Sequence, residues 1–482
     1  MDPLRGSKRS SISFGSYQRQ PMQSSYLSTP YEGSLLSHGG GSGGNPYYVS
    51  RSPMYSPLDH SQPMFWTNGY SQLHQLRNSA ALTSSSVCEY EANYVLFGVD
   101  WSVDDYVCLG SYRESGGNRL QVIKSVDMLS WDRVAECNVT FPVSTMQWQP
   151  SRPQPRCFAT CSDSLRIWSL ADDETAIHEQ INLSLCKHNK QQKKAVVPSV
   201  AKTGSGESGV LGELPPITSF HWNPTDSNLL ISSSIDTTCI VWDLQSANYV
   251  RTQLIAHDSE VFDVRFLTQS TQLFASCGGD GSVRVFDLRC LAHSTIIYEP
   301  SVVPGGSDTT AGNIDPTDRA ANADLDSSAL LRLEPSPFDP NVIATFALDS
   351  TSILILDMRN PGSPVLTLDA HTAPVNQIKW HPSRRNVLLT CADDCQVLYW
   401  DLDASLLGPA DPAAATPTAG DPVSGPAQHD HKWSFKNQAQ SISAPALFYA
   451  NNGQEVNNIV WRPQGADWFG AVSAKRFQNV RI

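Results

Sequence analysis

Three features are missing from this chain of 482 residues, and each absence excludes a class of protein. No apolar run approaches the roughly 18 to 20 residues that a membrane-spanning helix needs, so the sequence predicts no membrane insertion. No apolar segment follows Arg5, Lys8 and Arg9, so a secretory signal is not expected. Basic residues number 34 against 47 acidic ones, which disfavours direct binding of nucleic acid.

Metal-ligand clusters are also scarce among the 11 cysteines. Cys157 and Cys161, like Cys391 and Cys395, have a spacing found in metal sites, but neither pair has a second ligand pair nearby. Cys277 and Cys391 fall at the same position of a repeat, inside predicted strands, which indicates buried reduced thiols. We therefore expect neither a metal ion nor a cofactor.

The chain does contain an internal repeat. Residues 368–402 read LDAHTAPVNQIKWHPSRRNVLLTCADDCQVLYWDL, in which three apolar runs of strand length are separated by polar turns. Residues 254–288 follow the same pattern position by position. An Ala-His pair opens each unit and an aromatic-Asp pair closes it, which is typical of one blade of a β-propeller. Because one blade cannot bury its own faces, further blades are expected.

The spacing of the closing residues predicts the architecture. Trp242 and Phe286 lie 44 residues apart, and so do Leu356 and Trp400. Counting units at this period predicts an all-β fold, a seven-bladed β-propeller of WD repeats spanning residues 86–482. The last unit lacks its outer strand, and we expect Ser86 to Glu91 to supply it and close the ring.

Segments outside the ring are predicted from their composition. Residues 1–85 are rich in Ser, Gly, Tyr and Pro and should form a disordered tail. Excess spacing between units predicts loop insertions at about 171–212, 301–328 and 403–440. The whole chain has a net charge of -13, and the tail, with six basic and three acidic residues, contributes +3. The ring therefore carries a net charge of -16 and should be acidic.

Three of the units repeat, in whole or in part, a set of polar residues that could be mistaken for catalytic groups. His371, Thr390 and Asp394 are the residue types of a base, a nucleophile and an orienting acid. Their recurrence at the blade period beside a tryptophan instead favours a structural hydrogen-bonded network, so no catalytic residue is predicted. The predicted network comprises His371, Thr390, Asp394, Trp400, His257, Ser276, Asp280, Ser232, Asp236 and Trp242.

Several longer runs go beyond the generic repeat. They are PITSF at 216–220, SSIDTTC at 233–239, TQLIAHD at 252–258, DGSVR at 280–284, HSTIIYE at 293–299 and LLRL at 330–333. In these runs the chain resembles the WD-repeat family that contains the plant transparent testa glabra protein and its animal counterpart, a cullin-4-associated factor. The resemblance covers residues 90–482, whereas the tail and the long insertions depart from the compact family pattern.

The resemblance implies a non-catalytic, monomeric scaffold of cytoplasm and nucleus whose partners are proteins. Relatives hold kinases of the dual-specificity tyrosine-regulated and homeodomain-interacting types, bind bHLH and MYB transcription factors, or serve as receptors for the adaptor of the cullin-4 ubiquitin ligase. The motif linked to adaptor docking occurs here in approximate form, and its candidate contacts are Asp287, Arg289, Asp357 and Arg359. The alternative for Arg289 and Arg359 is that they are ordinary arginines at strand ends. The alternative function for the whole protein is that of an enzyme, which predicts titratable residues clustered at one mouth of the central channel.

Overall fold

The structure, a computed structural model, describes most of the predicted ring. The described residues are 80–81, 87–114, 116–151, 156–184, 215–247, 249–300, 328–407, 440–465 and 467–482. The predicted tail, apart from residues 80–81, lies outside this part of the chain. So do the larger parts of the three predicted insertions.

Seven β-sheets follow one another along the described chain, each built from four antiparallel strands that run outward from an inner strand. From the inner to the outer strand, blade 1 comprises Leu96–Trp101, Tyr106–Ser111, Asn118–Lys124 and Asp132–Val139, and blade 2 comprises Thr145–Trp148, Cys157–Cys161, Leu165–Leu170 and Ile177–Asn182. Blade 3 comprises Ile217–Trp222, Leu229–Ser234, Thr238–Asp243 and Val250–Ile255, and blade 4 comprises Val261–Phe266, Leu273–Gly278, Val283–Asp287 and Cys290–Tyr298. Blade 5 comprises Leu330–Pro335, Val342–Ala347, Ser352–Asp357 and Leu366–Asp369, and blade 6 comprises Val375–Trp380, Val387–Ala392, Gln396–Asp401 and Leu447–Ala450. Blade 7 comprises Asn458–Trp461, Trp468–Ser473, Arg476–Arg481 and Val87–Glu91.

The ring closes as predicted. Val87–Glu91 pairs antiparallel with Arg476–Arg481, with Val87 opposite Val480 and Glu91 opposite Arg476. The inner strand of each blade contacts the inner strands of the two neighbouring blades, and blade 7 contacts blade 1 in the same way. The seven-bladed β-propeller is therefore confirmed.

Apolar cores lie between neighbouring blades, which explains why a single blade would not be stable. The second strand of blade 3, Leu229–Ser234, is buried along its whole length because sheets cover both of its faces. Trp222 and Trp242 of blade 3 join one core with side chains of blade 2, and Trp400 of blade 6 joins another with blade 5. All three indoles are fully buried, and large aromatic side chains of this kind contribute most to such cores.

Two of the three predicted insertions overlap with regular elements of the structure. Ile177–Asn182, inside the predicted loop 171–212, is the outer strand of blade 2. Its residues are mostly polar and exposed, so no apolar alternation marked it as a strand. At the ends of the predicted loop 403–440, a short helix, Leu402–Leu407, follows blade 6, and the strand Gln440–Ile442 begins at the last residue of the loop.

Two blades carry a fifth strand that the repeat did not predict. Gln440–Ile442 pairs parallel with the outer strand of blade 5, Leu366–Asp369. Ala80–Ala81 pairs parallel with the outer strand of blade 6, Leu447–Ala450. Both additions cover a sheet edge that would otherwise expose unpaired backbone N–H and C=O groups.

Candidate functional sites: the blade networks and the channel mouth

Antiparallel strands reverse direction at every turn, so the turns of all blades collect on two faces. The turns after the inner strands and after the third strands share one face, which we call the WD face because Asp287, Asp357 and Asp401 end the third strands there. The turns after the second strands, together with the connections between blades, lie on the opposite face. We call it the His face because His257 and His371 lie in these connections.

Blade 6 contains the full predicted network near the His face. The indole N–H of Trp400 donates to Thr390 Oγ1 at 3.0 Å, and Thr390 Oγ1 lies 2.7 Å from His371 Nε2. His371 Nδ1 lies 2.8 Å from Asp394 Oδ2, whose side chain is only 3% exposed. Four polar groups are thus paired with one another inside the blade.

Blade 4 contains the same network without the indole. His257 Nε2 lies 2.8 Å from Ser276 Oγ, and its Nδ1 lies 3.0 Å from both carboxylate oxygens of Asp280. Burial opposes ionisation of Asp280, but hydrogen bonds from His257 and Ser282 outweigh it and hold the pKa of this carboxyl well below its usual range. Phe286 takes the place of the tryptophan and stacks on Phe274 with ring centroids 5.1 Å apart.

Blade 3 contains only part of the predicted set. The indole N–H of Trp242 donates to Ser232 Oγ at 2.9 Å. Asp236 does not join this pair; it accepts hydrogen bonds from the backbone N–H and the hydroxyl of Thr238 in an exposed turn. Without a histidine to link them among the described residues, the hydroxyl and the carboxylate serve separate local roles.

Two further indole contacts were not predicted. Trp168 of blade 2 donates to Thr160 Oγ1 at 2.8 Å, although the two residues are eight apart rather than ten because the turn between their strands is shorter. Trp131 of blade 1 donates to Asn479 Oδ1 of blade 7 at 2.8 Å and so links the first and last blades. The Thr160 pair could have been found by allowing the turn length to vary.

The geometry of these networks supports the structural interpretation over the catalytic one. Thr390 and Ser276 are fully buried, and His371 and His257 are nearly so. A hydroxyl nucleophile must meet a substrate, whereas these hydroxyls have their partners inside the blade. Within the described residues no group of three or more metal-ligating side chains comes together, and no helix there is both long and apolar enough to cross a membrane.

The buried cysteines of the repeat lie where packing, not chemistry, determines their environment. Cys277 and Cys391 are fully buried, and burial raises the pKa of each thiol well above its usual value. Neither thiol is activated as a nucleophile.

A second repeated motif lies at the end of the inner strands and was missed by the sequence interpretation. Four inner strands end at the tryptophan of a Trp-x-Pro motif, and the proline follows in the turn. The motif places an indole and a proline at the mouth of the central channel on the WD face. The four motifs begin at Trp148, Trp222, Trp380 and Trp461. The recurrence of Trp-x-Pro at the end of the first strand in four repeat units was the signal that could have revealed the motif.

Three of these indoles join neighbouring blades. Trp148 donates to the backbone oxygen of Asp100 at 3.3 Å, Trp380 to that of Glu334 at 2.8 Å, and Trp461 to that of Lys379 at 3.0 Å. Each acceptor is the penultimate residue of the inner strand in the preceding blade. The contact therefore fixes how adjacent blades meet around the channel.

Side chains at that penultimate position make a second set of contacts between blades. Asp100 Oδ2 accepts the backbone N–H of Trp148 at 2.6 Å, and Gln147 Oε1 accepts that of Trp222 at 2.8 Å. His221 Nδ1 accepts the backbone N–H of Phe266 at 3.0 Å. Burial holds the pKa of His221 well below its usual value, so this imidazole stays neutral and can accept.

A cavity of about 450 Å³ lies at this channel mouth. Indoles, prolines and charged side chains line it, namely Trp101, Trp148 and Trp380; Pro150, Pro224, Pro335, Pro337, Pro382 and Pro463; Asp100, Asp104, Glu334 and Arg156. Burial raises the pKa of Asp100 to about 6, against the opposing hydrogen bond from the Trp148 backbone. The titratable residues expected of a channel enzyme are therefore present at this mouth.

The candidate adaptor contacts lie on the same face. Arg289 pairs with Asp287 through Nε and Nη2 at 2.9 and 2.6 Å, and its side chain is 69% exposed. Arg359 pairs with Asp357 in the same way, at 2.8 and 2.7 Å, and Nη2 also reaches Asp339 at 3.0 Å. The paired N–H groups of each arginine are thus used within the chain, and Nη1 is the group without an acceptor among the described residues.

The fold and these repeated contacts define a class, the seven-bladed WD-repeat propellers, which typically act as non-catalytic platforms for protein assembly. A family model described as WD domain, G-beta repeat matches residues 210–243, 248–287 and 362–401. The first match covers the three inner strands of blade 3, and the other two each begin with the outer strand of one blade and continue through three strands of the next, blade 4 or blade 6.

Comparison with whole proteins gives the same assignment. The chain is 54% identical to the WD repeat-containing protein YPL247C of Saccharomyces cerevisiae, over 100% of both chains. It is 32% identical to the WD repeat-containing protein C17D11.08 of Schizosaccharomyces pombe, over 82% of this chain and 89% of the relative. It is 31% identical to the DDB1- and CUL4-associated factor 7 homolog of Dictyostelium discoideum, over 82% and 98%. The chain belongs to the WD-repeat family.

Proposed function

We propose that this protein assembles complexes of protein kinases and transcription regulators, of the classes implied by the family resemblance, in cytoplasm and nucleus. The observation that carries the scaffold function is the contrast between buried, fully paired blade networks and an open cavity on the WD face. A closed ring holds such a surface rigid, and rigid surfaces bind without the cost of ordering loops.

Affinity purification from cells that express the tagged chain tests this proposal. We expect the full chain to recover a kinase of the dual-specificity tyrosine-regulated or homeodomain-interacting type, or a bHLH or MYB regulator. A parallel purification of residues 86–482 separates partners of the ring from partners of the tail. Recovery of neither partner class with the full chain would contradict the proposal.

A second candidate function is that of substrate receptor for a cullin-4 ubiquitin ligase. Two observations favour it: the likeness to the Dictyostelium relative, a DDB1- and CUL4-associated factor 7 homolog, and the pairs formed by Arg289 and Arg359 with their aspartates on the WD face. Each aspartate raises the pKa of its arginine through hydrogen bonds and holds the guanidinium in one orientation. A charged group held in this way could contact an adaptor without further loss of side-chain entropy.

The test of this second function is the double variant Arg289→Ala with Arg359→Ala. We expect it to lose co-purification of the ligase adaptor while it still binds the partners of the scaffold function. The matched control is Arg384→Ala with Arg385→Ala, which removes two exposed arginines from the same face. Adaptor binding retained by the first variant, or lost equally in both, would reject docking through the Asp-x-Arg pairs.

A further inference from the structure

The cavity at the channel mouth has the lining of a site for a cation. Its described charged groups are three carboxylates, of Asp100, Asp104 and Glu334, and one guanidinium, of Arg156. Indole rings occupy the walls between them, and the electron-rich face of an indole attracts cations. Negative charge therefore exceeds positive charge in a partly apolar cavity of about 450 Å³.

The cavity wall already holds one guanidinium. Arg156 lies over the ring of Tyr106, 4.5 Å from its centroid, with Nε 3.6 Å from Asp104 and Nη1 3.9 Å from Glu174. Glu334 is likewise paired, at 3.2 Å, with Lys379. At this mouth, therefore, carboxylates and an aromatic ring already contact one guanidinium and one ammonium group of the chain itself.

Asp100 differs from the other two carboxylates because no described cation forms an ion pair with it. Its contacts are backbone N–H groups, chiefly that of Trp148 at 2.6 Å. Lys379 and Arg265 are near enough to lower its pKa slightly, but burial dominates. Burial keeps both the His221 imidazole and the Cys108 thiol uncharged, so neither changes the charge beside Asp100.

We propose that the channel mouth on the WD face binds an arginine side chain of a partner protein, with Asp100 as the carboxylate that receives the guanidinium and Trp148 and Trp380 as the walls beside it. Arginine suits this site because its planar group pairs with carboxylates, stacks on indoles and is less strongly hydrated than an ammonium ion. The inference rests on the proposed scaffold function and names the chemistry of one of its contacts.

Titration of the full chain with capped arginine tests the site, since it needs no identified partner. The probe is N-acetyl-arginine methylamide, and the readout is the set of indole N–H resonances in protein labelled at tryptophan. We expect saturable shifts at Trp148 and Trp380, and binding weaker by about tenfold or more for capped citrulline, which has nearly the same shape without the charge. Equal shifts with citrulline would overturn the proposal.

The variant Asp100→Asn sharpens the test because an asparagine oxygen can still accept the Trp148 N–H. We expect it to weaken arginine binding by about tenfold. In the unsubstituted protein binding should strengthen from pH 5 to pH 7.5 as the Asp100 carboxyl ionises, and in the variant this gain should disappear. The control is Asp349→Asn, which removes one exposed carboxylate from the His face. Unchanged binding in Asp100→Asn, or an equal loss in the control, would overturn the site.

This experiment and the purification fail independently. A chain that ignores the arginine probe but recovers its kinase or regulator loses only the arginine site. A chain that binds the probe but recovers no partner retains the site and contradicts the proposed function.

Discussion

The two polar regions of the propeller differ in how completely their groups are paired. In the blade 6 network, Trp400, Thr390, His371 and Asp394 satisfy one another away from solvent. At the channel mouth, Asp100 meets backbone N–H groups beside an open cavity and lacks a described counter-ion. Polar groups that are fully paired stabilise a blade but have no hydrogen bond left to make with a partner protein. A carboxylate without a counter-ion, next to a cavity, can still bind a group of a partner.

Asp394→Ala should have the largest effect on stability. The substitution leaves His371 Nδ1 without its acceptor inside the blade, because the carboxylate is 3% exposed and water has little access. We expect a loss of about 2 to 3 kcal/mol in the free energy of unfolding, measured by chemical denaturation. Asp369→Ala removes an exposed carboxylate near the same face and should change little. Equal midpoints for the two variants would mean that the network does not stabilise the blade.

Asp100→Asn should have an intermediate effect that depends on pH. The folded pKa of about 6 lies above the ordinary value of 3.8, so ionisation is more costly in the folded than in the unfolded chain. The unsubstituted protein should therefore lose stability relative to the variant as pH rises from about 4 to 6. We expect the difference to grow by about 2 kcal/mol between pH 4 and pH 7.5. A difference that is constant with pH would show that Asp100 ionises normally.

Asp280→Ala should have the smallest of the three effects. The Asp280 side chain is 18% exposed, so water can reach part of the vacated site. His257 Nδ1 also retains Ser282 Oγ at 3.3 Å as a neighbour. We expect a loss of about 1 kcal/mol, again from denaturation midpoints. A loss in the free energy of unfolding as large as that of Asp394→Ala would show that the exposure of the carboxylate does not determine how much each network contributes to stability.

Regular spacing made the blades and their networks predictable. The 44-residue period located Trp400 and Phe286, and the offsets within each unit then placed His371 against Asp394 and His257 against Asp280. The closing strand was predictable because seven units needed one more strand than the last unit supplied.

Features without a periodic signal were missed. The outer strand Ile177–Asn182 has four polar residues and is exposed along its first half after the buried Ile177, and the added strands Ala80–Ala81 and Gln440–Ile442 are too short to show alternation. The channel mouth is assembled from the ends of strands hundreds of residues apart, such as Asp100 and Trp380. Its composition was readable from the Trp-x-Pro motif, but the cavity itself depends on how the blades pack around the ring.

Hydrogen exchange followed by mass spectrometry, on the tagged chain alone and on the purified complex, tests most directly whether partners bind at the channel mouth. We expect slower exchange in the complex at residues 102–105, 149–151, 336–341, 381–386 and 462–465, which form turns on the WD face. Exchange at residues 348–351 and 393–395 on the His face should stay the same. Protection confined to the His face, with the channel mouth unchanged, would show that partners do not bind at the channel mouth.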